Sequence, residues 1–342
     1  MNMFDLATAT AEAAETNPQI IEAPALVPGL ELHLDGDYLA YYASGNEDCT
    51  AGQARINAMN VIEKFRSLTG SERIVVHNTA SGSQKGERYL IATVKPYQGK
   101  RSGSKPKNHA YLQDWLQCYE GHLFRAKNWA SREADDGIGA CAHYAIGRGP
   151  GYAAIATADK DMRMLPGLHV SWKPVDDEHV LTRVMPGDYD VLGKDGKQYG
   201  LKWFFMQMVM GDTTDNIPGL EGIRNTKGDG FKTAGEGAAI KVLADALTAT
   251  EAAEAVALYY RDFYGGDWAD RYVEQAALLW MRCDTHAAVT DFVDHKGHSR
   301  IAYPSDIYDA AQRLQERVTL ARATLNSQSN QVDPLCSISI AA

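Results

Sequence analysis

Leu30-Glu31-Leu32-His33-Leu34-Asp35-Gly36-Asp37 is the stretch that decides the fold. Leucines alternate with polar residues at the period of a strand, and the run ends in an acid–glycine–acid turn. Downstream, over 52–68, Ala54, Ala58, Val61, Ile62, Phe65 and Leu68 share one helical face. Arg73-Ile74-Val75-Val76-His77 then reads as a second short, buried strand. Working outward, a helix is expected at about 109–124, with Leu112, Trp115, Leu116, Tyr119 and Leu123 facing inward. Another runs from about Glu133 to Ile146, and strands follow at Ala153 to Thr157 and Leu168 to Trp172. Strands alternating with helices predict an α/β domain with a mostly parallel sheet over 28–210.

The remaining segments read differently. Residues 78–108 lose periodicity and are rich in Gly, Ser, Lys and Arg, an irregular excursion from the core. From Gly211 the chain is Gly-rich and then helical, with apolar spacing over 236–247, 251–264 and 268–282, giving a helical subdomain at 211–323. Residues 1–27 form an N-terminal tail, whose Ala/Glu-rich part at 7–25 reads as a weak helix or a mobile segment. The Ser/Asn/Gln-rich end, 324–342, is expected to be disordered.

Composition narrows the function classes. The 342 residues are 45% hydrophobic and 23% charged, enough to bury one large core or two modest ones. A net charge of −10 argues against a diffuse cationic glue for nucleic acid, while allowing a local basic stripe or an acidic cation-holding cluster. Five cysteines without C-x-x-C spacing suggest reduced thiols in a cytosol. No apolar run approaches the roughly 20 residues that cross a bilayer, and the N-terminus lacks the basic and apolar regions of a secretory signal.

Four acidic clusters carry the chemistry: Asp35-Gly36-Asp37, Glu133-Ala134-Asp135-Asp136, Asp159-Lys160-Asp161 and Asp212-Thr213-Thr214-Asp215. The first and third follow strands, and the carboxyl ends of parallel strands share the edge where open α/β proteins place their sites. Each cluster alone reads as a helix cap or a solvated loop. Together in one pocket they would repel each other prohibitively unless cations neutralised them. Carboxylates and water are ligands for Mg²⁺ or Mn²⁺, not the Cys/His set of zinc.

These clusters, in this order, resemble the flap endonuclease/5′→3′ exonuclease superfamily, including the exonucleases of short-tailed bacteriophages and the 5′-nuclease domain of bacterial DNA polymerase I. The strings that carry the resemblance are Leu34-Asp35-Gly36-Asp37-Tyr38-Leu39, Glu133-Ala134-Asp135-Asp136, Ala158-Asp159-Lys160-Asp161-Met162 and Met210-Gly211-Asp212-Thr213-Thr214-Asp215-Asn216-Ile217-Pro218-Gly219. The last is the most specific, and the resemblance spans about residues 30–285. It implies a resolvase-like (PIN-like), mostly parallel α/β core followed by a helix–three-turn–helix module that grips duplex DNA, commonly with a bound K⁺. Gly219 and Gly222 would begin that module, and Gly235 and Gly237 would open its second helix. Two departures stand out. No acid follows the second strand in Val75-Val76-His77-Asn78-Thr79-Ala80-Ser81, and Gln98 occupies the place of a catalytic lysine, so that Lys100 or Arg101 must serve.

The reaction implied is phosphodiester hydrolysis with two Mg²⁺, Mn²⁺ substituting, one activating water and the other steadying the leaving oxygen. Asp35, Glu133, Asp135 and Asp136 would hold the first ion; Asp136, Asp159, Asp161, Asp212 and Asp215 would hold or surround the second. The substrate implied is duplex DNA with a free 5′ end, nick or flap, together with RNA–DNA hybrids, as in primer removal and host-DNA degradation by a phage. Residues 85–107 fit such a strand: Lys85, Arg88, Lys95, Lys100, Arg101, Lys105 and Lys107 are interleaved with Tyr89 and Tyr97. Arg88, Lys100 and Arg101 would meet phosphates, and Tyr97 would stack on an unpaired base. Two alternatives compete. A haloacid-dehalogenase-like phosphatase would use Asp35-Gly36-Asp37 with Gly211-Asp212 and Asp215, but Leu39 stands where that family needs Thr or Val, and Glu133, Asp135, Asp136, Asp159 and Asp161 would be idle. A non-catalytic DNA-end-binding protein would leave the carboxylates unexplained.

Overall fold

The structure is a computed structural model describing residues 26–99, 103–146, 153–225, 227–294 and 301–331. Strand β1 (Val27–Asp35) runs straight into helix α1 (Gly36–Ala43), where a turn was expected. The Asp35 carboxylate makes the difference: its Oδ1 accepts the Tyr38 backbone N–H and caps the helix. Gly36 permits the junction, because a Cβ there would sit 2.2 Å from Asn78 Oδ1 and 2.7 Å from the His77 carbonyl. Helix α2 (Ala51–Thr69), capped by the Thr50 side chain, leads into β2 (Ser71–Thr79).

Within the excursion after β2 lies a short helix, α3 (Arg88–Ile91). Helix α4 (His109–Gln117) ends earlier than the expected 124, and the chain then forms an unforeseen strand, β3 (Arg125–Trp129). Helix α5 (Ala134–Ile146), β4 (Ala153–Ala156), β5 (Gly167–Val170), β6 (Leu181–Val184) and a small hairpin, β7 (Val191–Leu192) with β8 (Gln198–Tyr199), complete this part. The six-stranded sheet has the order β3-β2-β1-β4-β5-β6, parallel except for β6.

Apolar helix α6 (Leu201–Met210) leads into a helical region. The hairpin β9 (Ile223–Arg224) and β10 (Phe231–Lys232) precedes α7 (Glu236–Val242), α8 (Ala249–Tyr264), α9 (Trp268–Leu279), α10 (Asp291–Asp294) and α11 (Ser305–Gln331). The disordered end expected from 324 is thus corrected over 324–331. Thr324 Oγ1 donates to the Leu320 carbonyl, Ser327 Oγ to that of Thr324, and the polar residues form the exposed surface of a continuing helix. Residues 332–342, and residues 1–25 of the tail expected at 1–27, lie outside the described residues, while Val27 belongs to β1.

Two cores result. Leu30, Leu32 and Leu34 pack on one sheet face with α1, α2 and α4. The other core runs from Ile138 and Ile155 through Phe204 to Tyr260, Leu279 and Val318, so it spans the expected boundary at 210/211.

His33 and His77 stand on the α5 side of the sheet within a buried relay. The Trp129 indole N–H donates to His77 Nδ1 (3.1 Å), and His77 Nε2 lies 3.1 Å from His33 Nδ1. Burial, with Lys127 and Arg125 nearby, pushes His33 down to about 3. This folded value lies below the ordinary one, so the stability it confers is complete above pH 6.5 and is lost as pH falls towards 3. Urea midpoints at pH 7 and pH 5 should therefore differ, with about 2 kcal/mol from His33 alone. The variant His33→Gln should flatten that dependence; an unchanged slope would contradict the assignment.

Candidate metal centre

The strand order creates the site. The chain steps outward from β1 to β2 and β3, then returns to place β4 on the other side of β1. The crevice between the carboxyl ends of β1 and β4 is therefore the switch point of the sheet. Asp35 ends β1, and Thr157, Ala158 and Asp159 follow β4. Thr157 Oγ1 donates to Asp35 Oδ2 at 3.0 Å, locking the two strand ends together.

Around this crevice the acids form two neighbouring groups. In the first, burial raises Asp135 well above the ordinary carboxylate range, and the charges of Asp159, Asp35, Glu133 and Asp37 add to it. Asp35 is pushed up to about 7 by burial and by Asp37 and Asp159. Asp37 is also raised by burial, although the Thr79 backbone N–H donates to its carboxylate at 3.2 and 3.3 Å. Thr79 therefore occupies the end of β2, where the sequence lacks an acid, and its Oγ1 also accepts the Ala134 N–H at the start of α5.

The second group is Asp161, Asp212 and Asp215, whose oxygens lie within 4.8 Å of one another. Asp161, raised by burial and then by Asp159 and Asp212, is fixed by the Gln207 side-chain amide at 2.5 Å. Asp212 accepts the Thr214 N–H at 2.8 Å and the Lys160 ammonium at 2.9 Å. Reciprocal backbone bonds between Asp212 and Ile217 (2.8 and 2.7 Å) close the loop that presents Asp215. Gly219 closes this turn at φ +65; a Cβ there would meet the Gly211 nitrogen at 2.4 Å.

Several expected site residues are placed otherwise. Asp136 is 0% exposed and gives both oxygens to the Arg88 guanidinium at 2.8 Å each. Burial alone would raise its carboxyl; Arg88, helped by Arg282, overcomes this and holds it at about 2. Arg88, expected to face DNA, is itself 1% exposed. Tyr97 is not a free stacking platform, because its ring packs against the core and its hydroxyl sits between Glu133 Oε2 (2.8 Å) and Asp215 Oδ2 (3.0 Å). Glu133 also accepts from Gln98 (3.0 Å) and Arg88 (3.2 Å). The Gly219 N–H donates to Gln275, and a Cβ at Gly222 would meet the Phe263 ring at 2.2 Å, so both glycines are packed inward rather than presented to DNA as expected. Gly235 and Gly237 have open space about them at the start of α7. Lys100 and Arg101 lie outside the described residues.

Sequence reasoning missed Thr157 and Thr79 as site residues, and it placed Lys85 in the basic stretch without its contact to Gln98. The Lys85 ammonium donates to the Gln98 carboxamide oxygen, and its backbone is left-handed (φ 49). No periodic signal marks any of the three, since each acts at a strand end or in irregular chain.

A second group, His33, His77 and Cys141, also brings possible ligand atoms within 4.8 Å. Its protons do not suit a metal. The indole is a donor only, so His77 Nδ1 accepts and His77 Nε2 carries the proton given to His33 Nδ1. Both rings have thus used their lone pairs.

No protein-family model matches the chain, and no curated protein matches it significantly. Its fold matches that of a bacteriophage T5 flap endonuclease solved as a pseudo-enzyme–product complex with DNA and metal ions: TM-score 0.50, 13% identity, over 84% of this chain and 99% of that one. T5 5′-exonuclease with divalent metal ions (zinc) bound gives a TM-score of 0.49 and 14% identity, over 84% and 98%. The likeness is one of fold: a mostly parallel α/β sheet followed by a helical region.

Proposed function

We propose that the protein is a divalent-metal-dependent 5′→3′ exonuclease or flap endonuclease that hydrolyses phosphodiester bonds at DNA 5′ ends, nicks and flaps. The observation that carries this reading is the crowding of carboxylates at the switch point, with too few cations among the described residues to pair them. Asp35, Asp135, Asp159 and Asp161 are all raised by burial, with neighbouring carboxylates adding to each, as expected of a site built to be completed by cations. The donors are hard oxygens, which fit Mg²⁺ or Mn²⁺. Asp35, Asp37, Asp135 and Asp159 would hold one ion; Asp161, Asp212 and Asp215 would hold or surround a second. Bound there, such ions would supply an activated water and charge stabilisation for the leaving oxygen.

The chain's own groups do the rest. Thr157, Thr79, Gln207 and Lys160 fix the carboxylates, so little reorganisation is needed before reaction. Tyr97 and Gln98 clamp Glu133 and tie the excursion after β2 to the cleft, where it can guide a strand. The T5 relative crystallised with DNA has this fold, and DNA is the substrate class we assign here. Among the described residues, no helix is long and apolar enough to cross a membrane.

The test is a 5′-labelled duplex, blunt, nicked or flapped, incubated with Mg²⁺, Ca²⁺ or EDTA, beside p-nitrophenyl phosphate. Cleavage should need Mg²⁺ or Mn²⁺, and Ca²⁺ should support binding with little turnover, since its longer, looser bonds position water poorly. Mg²⁺ should also raise the melting temperature of the protein without DNA. Hydrolysis of the nitrophenyl ester alone would favour the phosphatase alternative, and metal-insensitive DNA binding without cleavage the end-binding one.

A further inference from the structure

Beside the carboxylates lies a cavity of about 320 Å³, between the carboxyl ends of β4 and β5 and the β7–β8 hairpin. Its wall includes Thr157 and Asp159, so it opens directly onto the acidic crevice. It carries positive charge from Arg163, Lys173 and Lys197, and Tyr38 and Tyr199 also line it.

Arg163 is the informative residue. It follows Asp159-Lys160-Asp161 on the same short turn, and its guanidinium lies 4.7 Å from the Trp203 ring centroid. Among the described residues it makes no side-chain ion pair or hydrogen bond, although it is half-buried. Lys197 already has Asp195 at 2.9 Å, and Lys173 is exposed at the rim. A half-buried cation without an anion is costly, and the cost is recovered when an anion arrives. The same wall contains Trp172, whose buried Nε1–H has no partner. The volume is at the lower end of the range for small-molecule sites.

We propose that this cavity is a seat for a nucleoside 5′-phosphate, with Arg163 receiving the phosphate. The seat deepens the nuclease reading and rests on it: the occupant is the nucleotide adjoining the cleaved bond, or the same group once released. A phosphate near so many carboxylates needs a cation on its flank, and Arg163 is placed there: Asp195, Asp159 and Asp161 favour its charge from a distance, but none forms an ion pair with it.

The experiment titrates full-length protein with deoxyadenosine 5′-monophosphate, deoxyadenosine or inorganic phosphate by calorimetry, with Mg²⁺ present. Saturable binding of the monophosphate is expected, weakened about tenfold or more by Arg163→Ala and partly restored by Arg163→Lys. Deoxyadenosine should not saturate. Titration in EDTA in place of Mg²⁺ should leave monophosphate affinity nearly unchanged, which separates the seat from the metal centre. If Arg163→Ala does not fold, Lys173→Glu, an exposed change at the rim, should weaken the same binding. A 5′-phosphorylated and a 5′-hydroxyl duplex, each cleaved with and without added monophosphate, distinguish strand from product. A KM advantage for the phosphorylated end that is lost in Arg163→Ala assigns the strand, and competitive inhibition alone assigns the product. No saturation by the monophosphate, or equal affinity in wild type, Arg163→Ala and Lys173→Glu, overturns the proposal even if DNA is cleaved. Monophosphate binding without any cleavage would keep the seat and overturn the nuclease reading.

Discussion

Asp135→Asn is expected to abolish DNA cleavage, with a loss on the order of a thousandfold or more, and to leave the metal-free protein at least as stable as before. Asp135 stands where the charges of Asp159, Asp35, Glu133 and Asp37 converge. The amide keeps the shape and removes the charge, so a metal ligand is lost while like-charge repulsion is relieved. The two readouts should move in opposite directions, which general misfolding cannot produce. Single-turnover cleavage of a 5′-labelled duplex and thermal melts in EDTA measure them, and the Mg²⁺-induced rise in melting temperature should shrink. Cleavage at the wild-type rate in purified Asp135→Asn would sink the metal assignment. Asp212→Asn should behave alike in cleavage, but its carboxylate holds Lys160 and the Thr214 N–H, so it should not gain stability.

What the sequence made legible is set by what has a period. The alternation at Leu30–Leu34 and the apolar runs gave β1, β2, β4 and β5, and with them the edge where the acids gather. Strand β3, Arg125-Ala126-Lys127-Asn128-Trp129, has neither alternation nor an apolar run because it is the sheet's edge, partly facing solvent. Strand β6 is antiparallel and short, and a βαβ reading does not anticipate it. The helix expected to 282 stops at Leu279, because Trp280 turns extended and Asp291 binds both its indole and the Cys283 N–H. Such a partner, eight to eleven residues on, is invisible to periodicity. The acids show the same limit. Asp135 and Asp136 are adjacent in sequence, but on a helix they are turned about 100° apart. One faces the crevice and the other the core, and only the position of Arg88, distant in sequence, settles which carboxylate is committed to an ion pair.

That commitment makes Arg88→Met the substitution with the largest expected effect on stability. Arg88 binds Asp136 through Nη1 and Nη2 and Glu133 through Nη1 at 3.2 Å. It also donates to the carbonyls of Leu278 (3.2 Å) and Trp280 (3.3 Å), so one side chain ties α3 to α5 and α9. Removing it leaves the Asp136 carboxylate buried without its cation, which costs about 3–5 kcal/mol. Replacing both partners, Arg88→Met with Asp136→Leu, should recover a large part of that loss, because the desolvated charge goes too. The pH dependence gives an independent sign. In the wild type Asp136 is held at about 2, below its unfolded value, so its contribution is complete above about pH 4 and is lost as pH falls towards 2. Without Arg88, burial raises the same carboxyl, and the variant's deficit should narrow as pH falls through the acid range. Urea midpoints at neutral pH and near pH 4 test both statements. A cost below about 1 kcal/mol, the value of an exposed pair, would return Arg88 to the surface role expected from sequence; so would a loss of DNA affinity that scales with salt while stability is unchanged.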